Sequence, residues 1–112
     1  MRFKNKTVFI TGAAGGIGRQ TCINFAKEGA SIAVSDIDLD MANRVAEEIK
    51  SSGGEAKAFK LDVTSQPETI KAMENTFETF GSLDIAFCNA GIREIIPALD
   101  LTIEEWRKII DI

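Results

Sequence analysis

Apolar residues alternate along this chain between two rhythms. Short runs that are apolar at nearly every position alternate with longer segments in which apolar residues recur every three or four positions. A short continuous run buries both faces, as a strand inside a parallel sheet does, whereas the wider spacing puts apolar groups on one stripe of a helix. Thr7 to Thr11 reads as the first strand. The first helix runs from about Gly16 to Lys27, with Ile17, Thr21, Ile23, Phe25 and Ala26 supplying contacts, and Gly29 closes it. Ile32-Ala33-Val34 is the second strand, ending on Ser35-Asp36. The second helix spans about Leu39 to Ser51 on a stripe of Ala42, Val45, Ala46 and Ile49, and Gly53-Gly54 stops it.

Ala56 to Leu61 is the third strand. Its lysines alternate with apolar residues, which suits an edge of the sheet better than its centre. Ser65-Gln66-Pro67-Glu68 has the spacing of a capping box, with proline tolerated in the first turn. The third helix then sets Ile70, Met73, Phe77 and Phe80 at steps of three and four, with Met73 and Phe77 as core by spacing, and Gly81 ends it. Leu83 to Cys88 is the fourth strand and Asn89-Ala90-Gly91 the turn after it. Beyond Pro97, a second capping box, Thr102-Ile103-Glu104-Glu105, starts a helix carrying Ile103, Trp106, Ile109 and Ile110, with Trp106 read first as a core anchor. Four strands with three intervening helices predict an α/β fold. The sheet is expected to be parallel, in the order 3-2-1-4, with helices on its flanks.

Length and composition narrow the possibilities. The 112 residues hold at most one domain, and 45% hydrophobic with 27% charged residues describe a globular chain rather than a disordered one. A net charge of -4 recommends no nucleic-acid partner. No apolar run approaches the ~20 residues of a membrane helix, and the start is too poor in apolar residues for a signal peptide. A cytoplasmic setting with Cys22 and Cys88 as reduced, buried thiols is therefore expected. With no His and two distant cysteines, no metal site is expected. The chain also has no Tyr, which removes another common proton-transfer group.

The candidate chemistry lies in Thr11-Gly12-Ala13-Ala14-Gly15-Gly16-Ile17-Gly18, between the first strand and the first helix. Glycines let the backbone turn sharply and approach a pyrophosphate, which then meets the free N–H groups and positive end of the helix. The spacing is Gly-x-x-x-Gly-x-Gly. Asp36 gives it weight, because an acid at the end of the second strand can accept hydrogen bonds from an adenosine ribose. A carboxylate there repels a 2′-phosphate and favours NAD over NADP. Asp36 or Asp38 could instead merely cap the second helix; the cap is assigned to Asp38 and the ribose to Asp36. Asp62-Val63 follows the third strand at the end where open α/β sheets bind ligands, although Asp62 taken alone reads as a turn residue. Asn89 on spacing alone is a turn former.

These motifs together resemble the classical short-chain dehydrogenase/reductase family. The matching residues are Thr11-Gly12-x-x-x-Gly16-Ile17-Gly18, Asp36, Asp62-Val63, Asn89-Ala90-Gly91 and the helix start Thr102-Ile103-Glu104-Glu105-Trp106, in the family's order and over essentially the whole chain. The resemblance implies an NAD-dependent oxidoreductase. In it Gly12, Gly16, Ile17 and Gly18 hold the pyrophosphate, Asp36 takes the adenosine ribose, Asp62 and Val63 flank the adenine, and Asn89, Ala90 and Gly91 support the strand beside the cofactor. It further implies a small alcohol or carbonyl substrate for the full-length form, and a homo-oligomer. The family's Tyr-x-x-x-Lys and Ser lie beyond the end of this chain and its Asn just past Ile112. Residues 1–112 are thus expected to be the N-terminal dinucleotide-binding part of one Rossmann domain, an incomplete doubly wound fold without a catalytic residue. Ile92 to Leu99 is expected to give one wall of a substrate pocket. The competing reading is a truncated, non-catalytic adenine-nucleotide-binding module. Either way, the outer side of the fourth strand and the apolar face around Trp106 and Ile110 are expected to make the isolated chain self-associate.

Overall fold

The computed structural model describes residues 1–92 and 96–112. Four strands, β1 (Thr7–Thr11), β2 (Ser31–Asp36), β3 (Glu55–Lys60) and β4 (Ile85–Phe87), alternate with helices α1 (Gly16–Lys27), α2 (Leu39–Ser51) and α3 (Gln66–Phe80). A short 3₁₀ turn at Ala98–Asp100 leads to α4 (Ile103–Ile110). The strands pair in the order β3-β2-β1-β4, every pair parallel, as the sequence predicts.

Two cores flank the sheet because alternate strand residues point to opposite faces. Val8, Ile10, Ile32 and Val34 pack beneath α1 and α2, against Cys22, Ala42, Val45, Ala46 and Ile49. Phe9, Ala33 and Leu61 pack on the other face against Ala72 of α3, with Met73 and Phe80 beside them. β1 is buried at all five positions, as a central strand must be. Asp84 ties β4 to it: its carboxylate accepts the Thr7 N–H at 2.8 Å, and its own N–H donates to the Thr7 carbonyl at 3.0 Å.

Several expectations need correction. Phe77 is 58% exposed rather than core, because α3 turns Ala72 and Thr76 toward the sheet. These small residues sit one helical turn apart, and the Thr76 hydroxyl satisfies itself by donating to the Ala72 carbonyl at 2.7 Å. Ile17, expected to pack, is 72% exposed at the first turn of α1, where Gly18 and Cys22 form the buried side. β4 spans three residues instead of six, so Cys88 lies past its end and is exposed. Trp106 is 57% exposed and anchors no core. The capping box at Thr102 is complete, whereas at Ser65 the structure gives the forward bond alone, with the hydroxyl accepting the Glu68 N–H.

Candidate functional site

The site is assembled where β1, β2, β3 and β4 end on the same edge of the parallel sheet. β1 runs straight into the glycine turn, and three contacts from other elements hold that turn. The Ala13 N–H donates to the Ser35 carbonyl at 3.0 Å and the Ala14 N–H to Asp36 Oδ2 at 3.1 Å, both on β2. From the β4 side, Asn89 Nδ2 donates to the Gly12 carbonyl at 3.1 Å. The buried hydroxyl of Thr11 completes the clamp by accepting the Asn89 N–H at 3.0 Å and the Ala90 N–H at 3.1 Å. Sequence reasoning assigned Thr11 no role. The available signal was a hydroxyl at the end of a fully buried strand, which must find partners.

Close packing explains two glycines and leaves a third to a ligand. At Gly12 (φ 60°), an added Cβ would stand 2.8 Å from the Ala90 Cα. At Gly18 it would collide with the Gly12 carbonyl oxygen and lie 2.7 Å from Asn89 Nδ2. At Gly16 (φ 54°), by contrast, the protein leaves open space. The N–H groups of Gly16, Ile17 and Gly18 belong to the first turn of α1, where the helix supplies no acceptor. Gly15 caps the helix without a side chain, and its first turn carries no acid. Among the described residues no side chain caps this turn, so it fits a pyrophosphate.

Asp36 links this turn to the next loop. While Oδ2 holds Ala14, Oδ1 accepts the Asp38 N–H at 3.0 Å. Asp38 in turn caps α2 by accepting the Met41 N–H at 3.1 Å, the capping role the sequence assigned to it. Asp62 is the turn residue that its position alone suggested: Oδ1 accepts both the hydroxyl (2.6 Å) and the N–H (2.9 Å) of Thr64. Those two bonds, the hydroxyl first, hold its carboxyl below the usual carboxylate range.

A cleft of about 130 Å³ collects the predicted residues Gly12, Asp36, Asp62, Val63, Ala90 and Gly91 along one wall or another. Gly16, Ile17, Gly18 and Asn89 stand outside its lining; Gly16, Ile17 and Gly18 belong to the helix start and Asn89 braces the turn from behind. Ile92, from the expected substrate wall, also lines the cleft, as do Ile37, Leu61 and Ile112, which were not foreseen. Ile37 had a signal, as an apolar residue between two acids and outside any buried stripe; it is 63% exposed. Of the expected substrate wall, residues 93–95 lie outside the described residues. Burial pushes the Cys22 thiol up to about 12, which makes it packing rather than a nucleophile. Among the described residues, no group of His, Cys, Asp or Glu side chains is placed to hold a metal, and no helix is long and apolar enough to cross a membrane. The arrangement can grip a phosphate and a pair of hydroxyls.

Several known proteins resemble this chain in sequence and fold. The family model for short chain dehydrogenase matches residues 6–112. Cyclohexanol dehydrogenase from an Acinetobacter strain is 46% identical over 113 aligned positions, covering 99% of this chain and 45% of that protein. The 7alpha-hydroxysteroid dehydrogenase of Escherichia coli K12 is 43% identical over 91 positions, 81% of this chain and 36% of its own length. Among solved structures, a short-chain type dehydrogenase/reductase from Mycobacterium marinum superposes with a TM-score of 0.94 at 36% identity, over 97% of this chain and 44% of that one. The chain thus spans less than half the length of these relatives.

Proposed function

The chain belongs to the short-chain dehydrogenase family, an oxidoreductase family whose members use NAD(H) or NADP(H), and on that premise we propose that residues 1–112 are the dinucleotide-binding part of an NAD-dependent enzyme acting on a small alcohol or carbonyl compound. The observation that carries this reading is the Asp36 carboxylate, hydrogen-bonded to the glycine turn at Ala14 and lining the cleft beside it. In this reading the N–H groups of Gly16, Ile17 and Gly18 receive the pyrophosphate, and Gly12 keeps the turn tight enough for its approach. Asp36 accepts from the adenosine ribose hydroxyls and repels a 2′-phosphate, which selects NAD. Asp62 and Val63 border the adenine, with Ile37 as a further apolar contact. Asn89, Ala90 and Gly91 hold the turn from the β4 side, so that the phosphate-binding groups are already in position before binding.

When bound, NAD supplies the hydride acceptor or donor. The chain's own contribution is to fix the cofactor's adenosine end. Its 112 residues include no Tyr and no His, two common proton-transfer side chains. Its relatives extend over more than twice its length, and in this reading the proton-transferring and substrate-contacting groups belong to that additional length. Oligomerisation through surfaces outside the cleft and a cytoplasmic location accompany the proposal.

Calorimetric titration of the folded chain with NAD and NADP, repeated on Asp36→Ala, tests it. Saturable binding of NAD, weaker binding of NADP and loss of that preference in the variant are expected. Equal affinity for both dinucleotides in the wild-type chain would refute the role given to Asp36.

A further inference from the structure

Next to Asp36 the sheet carries a cation that the assignment above does not use. Parallel register pairs Asp36 on β2 with Lys60 on β3, neighbours about 4.8 Å apart across adjacent strands. Both lie on the α2 side of the sheet: Asp36 continues the face of Ile32 and Val34, and Lys60 that of Ala56 and Ala58. Lys60 lines an open groove with Ile37, Asp38, Leu39 and Asp40, and is the only basic residue in that lining. Among the described residues its side chain makes no hydrogen bond or ion pair, although three carboxylates are its neighbours: Asp36, its partner across the strands, which holds Ala14, and in the groove Asp38, which caps α2, and Asp40.

We propose that Lys60 is a specificity-determining residue for the cofactor's 2′ position, its ammonium partly offsetting the repulsion that Asp36, Asp38 and Asp40 exert on a 2′-phosphate. This rests on the reading of Asp36 as the ribose acceptor. Asp36 must keep its backbone bonds, so it cannot swing away from a phosphorylated ribose. Lys60 is a long, unpaired side chain on an edge strand and can reach toward one. Two negative charges on the phosphate gain from a nearby ammonium what two neutral hydroxyls do not. The site therefore prefers NAD but does not exclude NADP. Removing the ammonium sharpens the preference, whereas removing the Asp36 charge leaves the ammonium in command and shifts the site toward NADP.

The experiment is a double-mutant cycle in which NAD and NADP affinities are measured for the wild-type chain, Lys60→Ala, Asp36→Asn and the double variant, each first shown to melt cooperatively. Lys60→Ala is expected to weaken NADP about fivefold and NAD less than twofold, and the difference should shrink in about 0.5 M salt. Asp36→Asn should strengthen NADP about tenfold, and adding Lys60→Ala should take back about fivefold of that gain. An NADP-to-NAD ratio untouched by Lys60→Ala in both backgrounds would overturn the proposal and leave Lys60 as a solvated edge charge. A wild-type chain that binds NAD while Lys60 proves inert refutes this inference alone. A folded chain that binds neither dinucleotide refutes the proposed function as well.

Discussion

The two flanks of β1 differ in how fully they are built. On one side β2, α1 and α2 close over a core in which Val8, Ile10, Ile32, Val34 and Ala42 are wholly buried. On that side the carboxylate of Asp36 and the carbonyl of Ser35 lock the glycine turn in place. On the other side β4 is three residues long with Ala86 and Phe87 exposed, and α4 shows Ile103, Trp106 and Ile110 to solvent. The turn joins the flanks, because Thr11 and Asn89 clamp it to the end of β4. Order at the glycine turn therefore depends on a strong flank and on a weak one, and substitutions can tell the contributions apart.

The largest effect is expected at Gly18, where a Cβ meets backbone that cannot yield. Gly18→Ala should cost about 3 kcal/mol in denaturant unfolding. Gly16→Ala, strained in φ but facing open space, should cost about 1 kcal/mol and act mainly on dinucleotide binding. Equal losses in the two variants would mean that the turn is not packed as described. Next comes the clamp. Thr11→Val removes the acceptor for Asn89 and Ala90; the Asn89 N–H retains the Phe87 carbonyl at 3.0 Å, so one stranded donor remains. A loss of about 2 kcal/mol is expected, with faster hydrogen exchange at the end of β4 than in β2. Uniform loss of protection would show that the flanks unfold as one.

Acid sharpens the comparison further. The Asp84 carboxyl, which pins β4 to Thr7, lies below its ordinary value of 3.8, chiefly through the Thr7 N–H and then the Ser82 hydroxyl. A depressed carboxyl stabilises the fold above its unfolded value, and that stability is lost as the pH falls through the folded one. Asp62 shifts in the same direction through Thr64. Stability should therefore decline below about pH 4, and Asp84→Asn should flatten that decline while leaving the β2 amides protected. The smallest effect on stability belongs to Trp106. Trp106→Ser should change it by less than about 0.5 kcal/mol. In sedimentation velocity, however, the wild-type chain should self-associate with rising concentration and the variant less so. A strictly monomeric wild type would remove the role given to the α4 face.

Much of this was legible in the sequence where one local rule decides. The continuous apolar run 7–11, the stripe Ala42, Val45, Ala46, Ile49 and the glycines at 29, 53 and 81 located strands and helices to within a residue or two. The candidate residues came together at one edge because parallel strands all end there. What could not be read was rotation and length. Ile70, Met73, Phe77 and Phe80 outline a plausible stripe, yet the small pair Ala72 and Thr76 forms the side of α3 that is buried, and Phe77 turns outward. Cys88 looked buried because the apolar run continues through it, while β4 stops at Phe87. The Thr11 clamp and the Asp36–Lys60 pairing join residues 78 and 24 positions apart, beyond the reach of any local pattern.

In the proposed reading, the well-built flank holds an adenosine half-site complete enough to work without the nicotinamide end. Titration with AMP, which lacks that end, tests it most directly. Saturable AMP binding that competes with NAD is expected, weakening about tenfold or more in Asp36→Ala from the loss of charge-assisted hydrogen bonds. A folded chain that binds NAD but ignores AMP would contradict it, because recognition would then rest on the exposed β4–α4 side.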